Sequence, residues 1–187
     1  DGYEAAQQAN GPRDSRHRIE HIELLHPDDL VRFAQLGVVA STQPSHPPLA
    51  MDFPRDPWAS MVGPARLPQA FPDRALRDAG VAMAYSSDWP ITDINPMRGI
   101  QAAMTRPKLS PACPDNRCTL HEALYAYTAG GAYAGFDEHR LGRLVPGFLA
   151  DIVVMDHDLE ALDVADLGHA RAAITICDGQ ITYQRST

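Results

Sequence analysis

Apolar runs and helix signals alternate along the first half of this 187-residue chain, which predicts an α/β fold built on a parallel sheet. The strand candidates are continuously apolar rather than alternating, as strands buried on both faces must be. The segments between them carry helix punctuation at both ends. Each of the first helices then passes to the next strand through a single glycine, Gly37 or Gly80, the residue that most easily takes the left-handed turn closing a helix.

In order along the chain, residues 2–10 (GYEAAQQAN) read as the tail of a helix closed by Gly11-Pro12. No N-cap, apolar start or Met precedes them, so the sequence is expected to begin inside a larger protein. Arg18-Ile19-Glu20-His21-Ile22 is a short strand. His26-Pro27-Asp28-Asp29 opens a helix, because proline lacks the N–H that a first turn leaves unpaired and the two carboxylates suit the positive helix end. Leu30, Phe33, Ala34 and Leu36 supply its apolar face. Residues 38–42 (VVAST) form the second strand. Residues 44–66, with Pro44, Pro47, Pro48, Pro54, Pro57 and Pro64, are expected to be irregular, and loops of that length in compact domains are mostly functional or disordered. A helix over about 69–79 leads to the third strand, Val81 to Tyr85. Helices are expected near 96–105 and 119–132, the second opened by a Thr119/Glu122 capping box. The end of the chain changes character: residues 151–155 and 172–177 are strands, and Asp178-Gly179 turns into a third at 180–184. This is a small β-structure beside the α/β part. Gly130-Gly131 fits no part of the pattern.

Composition narrows the function classes. With 44% hydrophobic and 21% charged residues the chain is globular. A net charge of −8 opposes the positive footprint that phosphate binding needs, so nucleic acid is not an expected partner. No apolar run approaches the roughly 18 residues of a membrane span, and no basic, then apolar leader opens the sequence. Three cysteines are an odd number and too few for a disulfide framework, which points to a reducing cytoplasm.

Parallel α/β folds bind ligands outside the carboxyl ends of their strands, so polar residues there carry most weight. The first strand ends at His21, the second leads into Gln43-Pro44-Ser45-His46, and the third ends at Ser86-Ser87-Asp88. Imidazole and carboxylate together suit a divalent metal, which acidifies water and polarises a carbonyl while a carboxylate takes the proton. The alternatives are a hydrogen-bonded histidine and an aspartate capping a turn. His46 is read as exposed or in contact with substrate, and Trp89 as packing beneath its loop. His17, His26, His139, His157 and His169 read as surface or turn residues. Cys113, Cys118 and His121 form a second constellation, a three-donor zinc clip or simply a loop with two thiols.

Five segments, taken in this order, resemble the C-terminal part of the amidohydrolase superfamily, in its YtcJ-like branch that includes proteins labelled exoenzyme-regulatory. They are RIEH at 18–21, FAQLGVVASTQPSH at 33–46, LRDAGVAMAYSSDWP at 76–90, TLHEALYAYT at 119–128 and LGRLVPGFLADIVVMDHD at 141–158, with ITICDGQITY at 174–183 in support. The resemblance implies a partial TIM-like barrel, its last three βα units, over residues 1–140, and part of a small β-sandwich over 141–187. It implies that His21 binds a divalent metal, zinc being expected, that Asp88 touches the same metal and shuttles protons, and that His46 faces the substrate. The implied reaction is hydrolysis of non-peptide carbon–nitrogen bonds in a small-molecule amide. The family's first-strand His-x-His pair and strand-five histidine are absent, so the metal site is expected to be incomplete. The chain alone is then expected to be inactive and to cover its open strand edges by self-association. Two rivals remain: a non-catalytic regulatory or binding protein on the same scaffold, and a free-standing α/β domain carrying the Cys/Cys/His clip.

Overall fold

The computed structural model of the protein describes residues 1–51 and 53–186, so Asp52, within the proline-rich segment, and Thr187 lie outside the described residues. Helix α1 (Gly2–Asn10) precedes strand β1 (Arg18–Glu20), helix α2 (Pro27–Gln35) and strand β2 (Val39–Thr42). A short helix α3 (Trp58–Val62), helix α4 (Asp73–Asp78) and strand β3 (Met83–Tyr85) follow. Helices α5 (Pro96–Thr105), α6 (Leu120–Tyr127) and α7 (Ala129–Ala134) come next, then strands β4 (Ile152–Met155), β5 (Ala172–Cys177) and β6 (Gln180–Gln184).

The α/β expectation is met. Strands β1, β2 and β3 form a three-stranded sheet in that order, both pairs parallel. The register sets Glu20, Ser41 and Ala84 side by side, so all three strands leave the sheet along one edge. One face carries Ala40, Met83 and Tyr85 and is covered by Phe33 of α2, Leu76 of α4, Ile100 of α5 and Ala123 of α6. The C-terminal strands form a separate antiparallel sheet, β4-β5-β6. Asp178 (φ 48°) and Gly179 (φ 75°) make its hairpin, both in the left-handed region that a tight two-residue turn requires. The β4–β5 connection docks on α5 through Leu167, which is fully buried.

Three local expectations need correction. The proline-rich segment is not wholly irregular, because Trp58–Val62 is helical and packs with Leu67, Phe71 and Leu109 in a satellite core. The helix expected from about 69 starts only at Asp73: Pro72 disfavours a helical residue before it, and Phe71 takes a left-handed φ of 45°. The long helix expected over 119–132 breaks at Thr128 (φ −117°, ψ −87°) into α6 and α7. The capping box at its start is present, with Thr119 accepting from the Glu122 N–H and Glu122 accepting from the Thr119 N–H.

The two adjacent glycines have different roles. A methyl group on Gly130 would lie 2.1 Å from the Met83 carbonyl oxygen, so α7 can cross β3 only with glycine at that point, whereas Gly131 faces open space. Arg16 ties the chain ahead of β1 to the end of α7, donating to the Tyr133 carbonyl and to both Glu138 carboxylate oxygens.

Candidate metal centre

His21, His46 and Asp88 come from the ends of three different strands and meet in one group, with one ligand atom from each lying within 4.8 Å of the others. The His21 Nδ1 is 3.9 Å from the Asp88 Oδ2, and the His46 Nε2 is 3.8 Å from the same oxygen. The two imidazoles stack, with centroids 5.4 Å apart and planes 14° from parallel.

Each position follows from local physics. The His21 N–H donates to the Ser41 carbonyl at 2.9 Å, so the ladder runs one residue past β1 and holds the histidine at the sheet edge. The His21 backbone then turns left-handed (φ 67°), and Asp88 does the same (φ 54°). That conformation costs a side-chain-bearing residue on the order of 1–2 kcal/mol, and such residues cluster at functional sites. Asp88 is followed by a cis Trp89–Pro90 bond and a turn closed by the Ile91 N–H on the Asp88 carbonyl. His46 is placed by ties between the two loops: the Gln43 side-chain amide donates to Ser86 Oγ at 2.9 Å, and Ser45 Oγ meets Thr92 Oγ1 at 3.1 Å.

The three side chains differ in exposure. His21 and Asp88 are open to solvent, while the His46 side chain is 10% exposed, and its Nε2 is buried with no hydrogen-bond partner. Burial pushes the His46 pKa down; the Asp88 and Glu23 charges pull it up less strongly, and His21 pushes it further down. The ring is therefore neutral at pH 7, the form in which a nitrogen lone pair can meet a cation. Behind the loops lies a buried polar network. Asp73 accepts from Tyr85 Oη at 3.1 Å and Thr42 Oγ1 at 3.5 Å and pairs with Arg106 at 3.4 Å.

The two strand-end residues picked from the sequence are thus brought together. His46 lies closer to them than a residue read only as exposed or substrate-facing, and Glu23, two residues after His21, acts on the group without having been anticipated. Its signal was its position just beyond the first strand. Trp89 does not pack beneath its loop; it is 65% exposed, because Pro90 and the following turn carry it over the rim. Cys113, Cys118 and His121 do not form a metal-competent group among the described residues, and His121 instead pairs with Glu160 at 3.1 Å on the surface. All three cysteines are free.

The sequence profile described as Amidohydrolase family matches residues 1–183. The chain is 42% identical over 159 residues to Protein LONG AFTER FAR-RED 3 of Arabidopsis thaliana, covering 83% of this chain and 27% of that protein. It is 31% identical over 182 residues to YtcJ of Bacillus subtilis (strain 168), covering 94% of this chain and 34% of that one. It therefore spans about a third or less of the length of these relatives. Among solved structures, an uncharacterized metal-dependent hydrolase from Pyrococcus furiosus superposes with a TM-score of 0.62 and 31% identity, covering 79% of this chain and 28% of that chain. Among the described residues no helix is long and apolar enough to cross a membrane.

Proposed function

The chain belongs to the amidohydrolase family, and from that premise we propose that it carries part of a metal-dependent hydrolase centre acting on non-peptide carbon–nitrogen bonds of small-molecule amides. In this reading β1–β3 are an arc of a TIM-like barrel, its last three βα units, within residues 1–140. Residues 141–187 are part of a small β-sandwich. The family match and the likeness to a metal-dependent hydrolase do not favour the non-catalytic regulatory alternative.

The observation that carries the reading is the convergence of His21, His46 and Asp88, with an unpartnered buried nitrogen among them. The donor set fits a divalent cation, with zinc the first expectation: tetrahedral ligands about 2.1 Å from zinc stand about 3.4 Å from one another, and the His21 Nδ1 stands 3.9 Å from the Asp88 Oδ2. His21 and Asp88 would hold the metal. When bound, it supplies Lewis-acid polarisation of the amide carbonyl and water of near-neutral acidity. Asp88 accepts the proton from water at its carboxylate and returns it to the departing amine nitrogen, first base and then acid. His46, neutral and buried, faces the substrate and fixes it by hydrogen bonding.

Two variants test these roles by metal content after dialysis and by turnover of the full-length protein. Asp88→Asn should lose metal and lower kcat by orders of magnitude; unchanged turnover would refute the assignment. His46→Ala should keep the metal and lose turnover. Loss of metal in that variant would make His46 a ligand instead.

The same reading confines the partners to an amide and to further copies of this chain, in the cytoplasm, without nucleic acid or membrane. The 187-residue chain would have no turnover of its own. Its exposed apolar side chains include Ile19 on the open edge of β1 and Val153, Ile181 and Tyr183 on the antiparallel sheet. Light scattering should find a self-associated species, and a monomer at all concentrations would count against this part.

A further inference from the structure

Beside the candidate centre lies a cleft that the proposed chemistry does not use. Met51, Phe53, Trp89, Pro90, Ile91 and Ile94 form most of its walls. Its volume is about 480 Å³, within the roughly 300–1,000 Å³ of small-molecule sites. Two walls are continuous with the centre. The Phe53 ring meets His46 edge-on at 5.8 Å, and Trp89 follows Asp88 directly in the chain.

The lining is chemically one-sided. Trp89, Ile91 and Ile94 are 65%, 61% and 67% exposed, a concentration of apolar surface that calls for a ligand or partner. Among the described residues the one charged wall is Asp93, which accepts from the Asn95 N–H and pairs with Arg98 at 3.1 Å. Asp88, one residue before Trp89, brings a second carboxylate next to the lining. No basic side chain lines the cleft among the described residues. A carboxylate entering here would meet the like charge of Asp93 and, among the described lining residues, no basic side chain, whereas an alkyl or aryl group would meet Met, Phe, Trp and Ile side chains.

We infer that this cleft seats an uncharged apolar arm of the substrate, an alkyl or aryl group carried by the amide held at His46 and Asp88, and discriminates against amides bearing a carboxylate on that arm. This rests on the amide-hydrolase reading of the neighbouring residues.

The test uses the 187-residue chain and the indole N–H signals of its two tryptophans, told apart by Trp89→Phe. The probes are acetamide, hexanamide and adipamic acid, the last being hexanamide with its terminal methyl replaced by carboxylate. Hexanamide should shift the Trp89 signal saturably and bind about tenfold more tightly than acetamide, as partial burial of its extra methylenes allows. Adipamic acid should fall back to the acetamide level or below. Ile94→Asp, at an exposed position, should abolish the preference for hexanamide. Equal affinities, or no response of Trp89 to any of the three amides, would overturn the inference. So would a Trp89 signal that changes on dilution without ligand, which would put a second copy of the chain in the cleft. Zinc titration of the full-length protein separates the two readings. Zinc binding there without hexanamide preference sinks the cleft alone. Hexanamide preference without zinc binding by the full-length protein sinks the hydrolase reading and leaves a site for apolar amides.

Discussion

Gly130 marks a close crossing of α7 and β3, and replacing it tests the packing directly. A methyl group there would sit 2.1 Å from the Met83 carbonyl oxygen, and 3.3 Å from the Met83 carbonyl carbon and from the Tyr125 carbonyl oxygen. These are backbone atoms, and Met83 is bonded into the sheet against β2, so no rotamer change relieves the clash. Ordinary contact needs α7 to retreat by roughly 1.3 Å, and over-packing of this kind costs about 1–3 kcal/mol. Alanine's better helix propensity returns up to about 1 kcal/mol. A clash with two backbone segments belongs in the upper part of that range, about 2–3 kcal/mol, so the net loss is about 1–2 kcal/mol, or a Tm fall of about 2–8 °C for a chain of this size. Gly131 is the internal control: it is next in the same helix, exposed, and a methyl group added there would have nothing within 4 Å, so Gly131→Ala should leave Tm unchanged or raise it slightly. Thermal unfolding followed by circular dichroism on both variants decides the matter. If Gly130→Ala melts with or above Gly131→Ala, α7 does not cross β3 as described. The same displacement should reach the site, because β3 runs from Met83 towards Asp88.

Two further outcomes follow from buried and paired charges. Asp73→Asn leaves Arg106, whose side chain is 5% exposed, without its counter-charge. That should cost about 3–5 kcal/mol, whereas Asp73→Leu with Arg106→Met should cost much less; chemical denaturation of the single and double variants compares them, and equal losses would argue against the pair. Glu138 is held down to about 2 from 4.5, first by its hydrogen bond from Arg16. A carboxylate depressed on folding stabilises above its unfolded value and loses that contribution as pH falls from about 4.5 towards 2, because the unfolded chain binds the proton first. Stability curves of the protein and of Glu138→Gln should therefore converge at acid pH; a constant gap across that window would contradict the pairing.

Much of the fold was legible because its signals are local. Gly37 and Gly80 end helices, Pro27 with two aspartates starts one, and Thr119 with Glu122 caps another, each within a turn of the residues it governs. The features that stayed hidden depend on partners remote in sequence. Gly130 answers to Met83, so nothing near Gly130 could explain it. Trp89 reads as buried by its hydrophobicity, yet its exposure is set by the turn after Pro90. Helix α3 has five residues and no side-chain cap, too little to rise above the prolines around it.

The site shows the same division in sharper form. That β1 and β3 end on His21 and Asp88 is readable from apolar runs that stop at polar residues, but that these ends meet is a matter of register, which sets Glu20, Ser41 and Ala84 in one row. His46 is harder still. A histidine in a proline-rich loop has the same local sequence character whether it waves in solvent or turns inward. What turns it inward is a pair of cross-loop hydrogen bonds, Gln43 to Ser86 and Ser45 to Thr92, each joining the end of β2 to the end of β3. Since Asp88 lies between Ser86 and Thr92, those bonds fix the spacing of imidazole and carboxylate together. The donor geometry is therefore a property of the paired loops more than of either residue. A change in either loop should disturb His46 and Asp88 jointly, while His21, held by the Ser41 carbonyl on the other side of β2, keeps its place.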